Sequence, residues 1–319
     1  MACDYLDYID KIKNPYMTSR LLVRDNICAL EELLDINGQE LKRLKTLKRE
    51  NKLDFGSKVT PEELSELLPK ICSDVNEFLG VNSGSPEFSY FKLFKLTPLA
   101  LPVLMFYGLS AVHFTDAVFA LALNKNLDKA LHGVREGLRF GIIGACFHKM
   151  VSQPYYNGAS ERVNLEHVKR TKLIPIAGHE YAHHVQNTEG LLVAKSNIFS
   201  EGHARGVQKH MAEKYAQEED NEAFLYDGLD TTVGEFKSSY IWMCKKLEQK
   251  PKKSLLKIRT GRDADEGFVR FIVRRPTTHA LGNALFAIYQ DICGEGIYKQ
   301  MVHREFQFLP MSSLVESWW

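Results

Sequence analysis

The sequence predicts a mostly helical protein with a small amount of β-structure, the α+β class. Leu41, Leu44 and Leu47 recur at helical spacing near the N-terminus. Two stretches, T-P-E-E at 60–63 and T-V-G-E at 232–235, have the capping-box pattern that begins helices. Stretches with strand character are few and short, so we expect only a small sheet.

The composition is that of an ordinary globular protein. The chain has 319 residues, of which 45% are hydrophobic and 25% charged, and its net charge is +1. This balance predicts neither nucleic-acid nor membrane binding. The 6 cysteines are scattered without a C-x-x-C pair, and the N-terminus lacks a basic segment followed by an apolar one. We therefore expect reduced thiols, no cleaved signal and a cytoplasmic protein.

A helical N-terminal region is predicted to precede the main domain. The capping box at 60–63, with Pro at the first helical position, predicts a helix over 61–79. The turn-rich stretch 80–86 follows, so we place an N-terminal helical region at 1–85 and a second domain at 86–319. Basic residues surround Leu44; they could contact nucleic acid or an acidic partner, but a solvated amphipathic helix is the favoured interpretation.

The next segments are apolar. Residues 96–115 carry no formal charge for about 20 positions, a length that would span a bilayer. Pro98 and Pro102 lie near one end, and no flanking charge pattern sets an orientation, so a buried helix is favoured over a membrane span. Residues 137–151 are predicted to form a strand or two, and 163–165 another short strand.

The stretch 179–183 reads H-E-Y-A-H. In a helix, positions four apart lie on one face, so His179 and His183 would project together. Two neutral imidazoles on one face suit Zn²⁺, and Glu180 could act as the base for a water that the metal activates. Uncharged neighbours and a stop at Gly190 predict a buried helix here.

A catalytic zinc needs a third protein ligand and an open position. The metzincin pattern would need Gly at 186 and His at 189, where this chain has Gln186 and Glu189. A second helix is predicted to begin near Ser200, and both Glu201 and His203 in its first turns could ligate a metal. The glycines at 202 and 206 would let this helix pack closely across the first.

The H-E-x-x-H stretch followed by E-G-H-A at 201–204 resembles the gluzincin group of zinc metallopeptidases. In that group a Glu ligand lies on the next long helix, often within E-G-x-A. The resemblance implies a zincin-like fold and one Zn²⁺ per chain, held by His179, His183 and Glu201. It also implies hydrolysis of a peptide or protein substrate, with Glu180 as the general base.

A late helix is predicted over 278–293, ending near Gly294. Several gluzincins begin such a helix with Y-x-x-G, whose Tyr stabilises the oxyanion, and residues 279–282 read H-A-L-G. The resemblance implies that role for His279; the alternative is a polar residue at a helix N-terminus. An aromatic tail at 306–319 is expected to pack on the body or on a partner.

Two departures from the family pattern matter. Gluzincin aminopeptidases have G-x-M-E-N before the zinc helix, whereas residues 144–148 read G-A-C-F-H, with Phe147 in place of the amine-binding Glu. An endopeptidase is therefore favoured. Some families also place an acidic residue four positions after the Glu ligand, where this chain has Arg205. Another group must then orient the ligating imidazoles.

Two other functions stay open. One is a non-catalytic metal-binding scaffold that acts through a partner. The other is a latent protease whose N-terminal region covers the cleft.

Overall fold

The computed structural model describes residues 15–91, 100–122, 126–151, 155–158, 161–166, 168–190, 197–263 and 276–302. Within these ranges the protein is mostly helical with a small sheet, which confirms the predicted α+β, mostly helical class. The aromatic tail at 306–319 and residues 96–99 of the uncharged stretch lie outside the described residues.

The elements follow one another along the chain with short connections. The helices are α1 (Pro15–Arg49), α2 (Pro61–Leu79), α3 (Ala100–Ala122), α4 (Leu127–Val151), α5 (Arg170–Thr188), α6 (Asn197–Glu218), α7 (Ala223–Lys246), α8 (Lys253–Leu256), α9 (Thr278–Cys293) and α10 (Ile297–Val302). The strands are β1 (Glu87–Phe91), β2 (Tyr155–Asn157) and β3 (Arg162–Glu166), in the order β1-β3-β2. Strand β3 contains the predicted strand at 163–165.

The described chain divides into two compact units. The first unit includes α1, α2 and all helices from α5 onward, and the second includes α3 and α4. The N-terminal helices therefore belong to the same compact unit as the H-E-x-x-H helix. The division at about residue 85 stays a prediction from sequence composition, and the contacts divide the chain differently.

The core of the first unit is built from packed helices. Helix α6 packs against α5, α7 and α9, while α1 packs on α7 and α2 on α5. Each of these helices contributes side chains with no exposed surface: Leu34, Leu44, Ile71, Val75, Val185, Val207, Tyr215, Val233, Ala284 and Ile288. This burial holds α5 and α6 in a fixed relation, which the site requires.

Glycine permits a close contact between α6 and α9 in this unit. Gly202 of α6 faces Gly282 of α9, and a Cβ on Gly202 would collide with the Gly282 carbonyl oxygen. Gly206 faces the ring of Tyr298. The prediction that these two glycines bring α6 close to the H-E-x-x-H helix was therefore wrong, because α6 approaches α5 at Gly178 instead.

Helix α2 begins and ends where the sequence predicts. The Thr60 hydroxyl accepts the Glu63 N–H at 3.2 Å, and the Glu63 carboxylate accepts the Thr60 N–H at 2.8 Å. Gly80 ends the helix in the left-handed conformation with φ 69°. Local capping chemistry therefore fixes both ends of this helix.

The second capping-box prediction was wrong. Helix α7 already begins at Ala223, so residues 232–235 lie in its interior. Glu235 is fully buried, and its carboxylate accepts a bond from Arg205 at 2.8 Å instead of turning back to a helix N-terminus. Glu235 therefore forms a long-range ion pair with Arg205 instead of the helix cap that the local sequence pattern predicted.

The basic part of α1 is an amphipathic helix, as favoured from its sequence. Leu41 and Leu44 are buried on one side. On the other side Arg43 pairs with Glu222, and Lys45 lies 2.9 Å from Asp230. These pairs join α1 to the chain segment around the start of α7, so part of its positive charge is neutralised within the unit.

The second unit contains a helical hairpin of α3 and α4. Residues 137–151, predicted as strands, lie in α4. The glycines at 133, 137, 141 and 144 follow one side of α4 and let it pack closely on α3. Repeated glycine among apolar residues suggested strands, but the spacing is that of a helix face.

Helix α3 is not the buried helix that the sequence favoured, because only 17% of the window Leu104–Ala122 is buried.

Candidate metal centre

Helix α5 presents the H-E-x-x-H residues within the core of the first unit. Its apolar side is fully buried through Leu173, Ile174, Ala177, Tyr181 and Val185. The Tyr181 hydroxyl also donates to the Ser83 carbonyl oxygen at 2.9 Å. These contacts fix the rotation of the helix, so that His179 and His183 both face α6.

Three side chains converge at this point. The Nε2 atoms of His179 and His183 lie 3.3 Å apart. Near the beginning of α6, the Glu201 Oε2 atom lies 3.4 Å from the first of these nitrogens and 3.6 Å from the second. Among the described residues, this is the one group of His, Cys, Asp and Glu side chains whose ligand atoms all lie within 4.8 Å of one another.

The spacing of the three atoms suits a metal ion. Ligands that bind a tetrahedral metal at 2.0–2.2 Å are separated by roughly 3.3–3.6 Å, which is the range found here. Glu201 Oε2 is buried, and imidazole nitrogens surround it. A shared cation would satisfy this oxygen and both nitrogens together. The cluster of His179, His183 and Glu201 could therefore hold a metal ion.

The charges of the three side chains are interdependent. Burial lowers the pKa of His179 to about 3, so this imidazole is neutral. Burial opposes ionisation of Glu201, but the adjacent imidazoles outweigh it and hold its pKa well below the usual range. Burial also acts to lower the pKa of His183, and Glu201 reverses that effect and raises it. A neutral imidazole and an ionised carboxylate are the forms that ligate metals.

Glu180 is buried beside the cluster. Burial raises its pKa to about 7, and the negative charge of Glu201 acts in the same direction. A carboxyl group that titrates near neutral pH can both accept and release a proton under physiological conditions. This is the property that a general base needs if it later acts as the acid.

The structure brings His279 to the same place from α9. Its Nε2 atom lies 2.9 Å from Glu201 Oε2, and its ring is nearly parallel to that of His179, with centroids 6.2 Å apart. The cap of α9 is provided by Thr277, whose hydroxyl accepts the Ala280 N–H at 3.1 Å. His279 is therefore not needed as a helix cap, and its catalytic role stays a prediction.

The cluster opens to solvent on the side of His279. The exposed fraction of the side chain is 7% for His179, 20% for Glu201 and 40% for His279. The exposure of these side chains therefore increases from His179 to His279.

Gln186 orients His183, and the sequence interpretation missed it. The His183 Nδ1 atom lies 2.9 Å from Gln186 Oε1 and 3.2 Å from the hydroxyl oxygen of Ser200. The Gln186 amide in turn donates to the Ser200 carbonyl oxygen at 2.9 Å. When Nδ1–H donates to Gln186, the lone pair of Nε2 is free for a metal. The available signal was the i, i+3 spacing of 183 and 186 on one helix.

His203, the competing ligand, lies outside the three-residue group. It is fully buried, and its Nδ1 atom is 3.1 Å from the Gln186 side-chain nitrogen. Burial lowers its pKa to about 4. His203 therefore supports Gln186 rather than facing Glu201.

Arg205 is not an unbalanced charge beside the cluster. Its guanidinium donates to Glu235 at 2.8 Å, and the same buried carboxylate accepts a bond from Asn283 at 2.8 Å. Arg205 stands at the position where some gluzincin families have an acidic residue. Its charge is neutralised by Glu235 on α7. Sequence reasoning missed Glu235 because the pairing joins two distant helices.

Residues 144–148, expected on a strand before the H-E-x-x-H helix, lie in α4 of the second unit instead. The preference for an endopeptidase over an aminopeptidase stays a prediction.

Comparison of this chain with protein-family models, with curated proteins and with solved structures finds no match.

Proposed function

We propose that this protein is a zinc-dependent peptidase of the gluzincin type. The observation that carries the proposal is the convergence of His179, His183 and Glu201 at tetrahedral ligand spacing, beside the buried Glu180. Imidazole and carboxylate donors with an open side are the set that catalytic zinc takes. One zinc ion per chain is the implied cofactor, and the zincin-like fold is part of the same proposal.

Each side chain has a distinct part in the reaction. A bound zinc ion supplies Lewis-acid polarisation and acidifies water. Glu180 accepts a proton from the attacking water and later delivers it to the leaving amine, which its pKa of about 7 permits. His279 donates a hydrogen bond to the oxyanion as it develops. Gln186 keeps the His183 imidazole in the tautomer whose Nε2 faces Glu201.

A non-catalytic scaffold is the alternative from another class. Purely structural zinc sites are typically closed by four protein ligands. Among the described residues three form the group, and the side chain of His279 beside them is 40% exposed. This arrangement favours catalysis over a structural role.

A latent protease whose N-terminal region covers the cleft is the other alternative, and deletion of residues 1–85 would be its direct test. In the structure, α2 contributes Ile71 and Val75 to the core, and Asn76 contacts the Tyr181 hydroxyl at 3.1 Å. The deletion would therefore remove part of the support of α5. Point variants are a better test than truncation.

The test of the proposal compares two Glu→Gln variants of the full chain. Glu180→Gln should bind one zinc per chain but cleave no peptides, because an amide cannot accept the proton. Glu66→Gln, an exposed position on α2, makes the same chemical change away from the site and should behave as the wild type. Cleavage of a broad peptide library is followed by mass spectrometry.

The peptide library also decides between internal and terminal cleavage. Zinc-loaded wild-type protein that cleaves nothing in the library would contradict the peptidase proposal and favour the scaffold. A Glu180→Gln variant that cleaves at the wild-type rate would contradict the role of Glu180.

A further inference from the structure

The hairpin of α3 and α4 carries its large apolar side chains on the outside. Among the described residues, every exposed large hydrophobic side chain except Ile36 belongs to this hairpin. They are Leu104, Met105, Tyr107, Leu109, Val112, Phe114, Val118, Phe119 and Leu121 on α3, and Leu127, Leu131, Val134 and Leu138 on α4. Such a concentration on one element marks an interaction surface.

The exposed side chains of α3 surround the helix. Successive residues turn by about 100°, so Leu104, Met105 and Tyr107 point in three different directions, and all three are exposed. The buried positions of α3 that face α4 are small: Ser110, Ala117 and Ala120. A protein partner would cover one side of such a helix, whereas lipid would cover every remaining side.

The contact between α3 and α4 resembles helix packing in a membrane. A Cβ on Gly133 would lie 2.8 Å from the His113 carbonyl oxygen, and one on Gly137 would lie 3.0 Å from the Phe114 ring. The Ser110 hydroxyl also donates across the contact to the Gly137 carbonyl oxygen at 2.7 Å. Small residues and interhelical hydroxyl bonds join helices where there is no hydrophobic drive between them.

Helix α3 is apolar along most of its length, with exposed apolar side chains from Leu104 to Leu121. The window Leu104–Ala122 has a mean hydropathy of 1.4 and is only 17% buried, so it is not a core helix of a soluble protein. Asp116 is the one formally charged residue within α3.

Helix α4 differs because it has a charged side. Asp128, Lys129, Arg135 and Arg139 lie within one sector of the helix, and all four are exposed. Leu127, Leu131, Val134 and Leu138 form the adjacent apolar stripe. A helix of this kind lies at a membrane interface, with its charges directed to headgroups and water.

We propose that the α3–α4 hairpin inserts into a lipid bilayer, with α3 among the acyl chains and the charged side of α4 at the headgroups. The occupant of the apolar surface is therefore lipid, not a second copy of the chain. The proposal does not use the metal site, and Glu180→Gln should bind membranes as the wild type does.

Flotation with vesicles of phosphatidylcholine tests the proposal on the full-length protein. The wild type should float with the vesicles. The double variant Val112→Glu/Val118→Glu, which puts charge on two sides of α3, should reduce the floated fraction at least tenfold. The control Ile36→Glu adds the same residue at an exposed large hydrophobic position outside the hairpin, on α1, and should float as the wild type. Circular dichroism and thermal melting check that each variant is folded.

Two results would overturn the proposal. Wild-type protein that is monodisperse without detergent and does not float has no membrane surface on this hairpin. A wild-type dimer that does not float, and that Val112→Glu/Val118→Glu converts to a folded monomer, would show that a second copy covers α3 instead.

Discussion

Helix α5 and helix α3 both depart from the usual arrangement of apolar side chains inside and polar side chains outside, but in opposite directions. Helix α5 buries His179, Glu180, His184 and Gln186. Helix α3 exposes apolar side chains around most of its surface. Buried polar groups cost free energy unless they are paired, and exposed apolar surface costs free energy in water. The first departure supports the proposed metal ion between α5 and α6, and the second supports the proposed contact of α3 with lipid.

The largest effect is expected when α5 loses a ligand. His183→Ala should weaken zinc binding by more than about a hundredfold, because loss of an outer-shell partner alone costs about 10–100-fold. Competition with a chelator measures the affinity. The control is the adjacent His184, whose Nε2 atom lies 3.0 Å from the Gly84 carbonyl oxygen. His184 does not belong to the cluster, so His184→Gln should keep its zinc. Full zinc content in His183→Ala would remove the basis for treating α5 as a metal helix.

The next effect concerns catalysis without metal loss. His279→Ala should lower kcat by about 10²–10³, or roughly 2.7–4 kcal/mol, while zinc content and KM stay nearly unchanged. His279→Tyr should recover part of the rate because a phenol can donate the same bond. His210, stacked on Phe78 outside the cluster, provides the control His210→Ala. An unchanged kcat in His279→Ala would assign the oxyanion contact to another group.

A smaller effect tests how α5 compensates its buried polar groups. Gln186→Leu should weaken zinc binding by about 10–100-fold, because His183 Nδ1 loses its acceptor. Gln186→Glu, whose carboxylate accepts the same Nδ1–H, should retain more affinity. If both variants bind zinc as the wild type does, Gln186 does not orient His183 for metal binding.

Substitution within the hairpin should leave the metal site unaffected. Gly137→Leu forces a side chain against the Phe114 ring and should destabilise the hairpin by about 1–3 kcal/mol. Limited proteolysis detects the opening, and zinc affinity should stay constant. Gly108→Ala, where an added Cβ meets nothing within 4 Å, is the matched control. A parallel loss of zinc would mean that the two regions are not independent.

The smallest effect is expected from a substitution at Thr60, which lies outside both α5 and α3. Thr60→Ala removes the cap of α2 and should lower the free energy of unfolding by about 1 kcal/mol, measured by denaturant titration. Thr60→Ser keeps the hydroxyl and should restore most of it. Neither variant should change zinc affinity, so a large effect of either on zinc would be unexpected.

Local chemistry explains what the sequence predicted well. The capping box at Thr60 and the left-handed Gly80 fix α2, and α9 extends over the predicted residues to a cap at Gly294. The i, i+4 spacing of His179 and His183 places both imidazoles on one side of α5. These features depend on neighbours within one turn of helix, which the sequence displays directly.

Long-range packing explains what the sequence did not predict. Glu235 matched a capping box locally but is bound to Arg205 across two helices. From the sequence, the repeated glycines of α4 suggested strands. In the structure they lie on the side of α4 that contacts α3. The exposure of α3 was misjudged for a similar reason, because its composition fits a buried core helix as well as a lipid-facing one.

Zinc X-ray absorption spectroscopy of the purified protein tests the central claim most directly. We predict a four-coordinate zinc with two imidazole nitrogens and oxygen ligands at about 2.0–2.2 Å, and no sulfur. Glu201→Ala should remove one oxygen ligand and leave both imidazoles. A sulfur ligand, or a third imidazole from His203 or His279, would contradict the site formed by His179, His183 and Glu201.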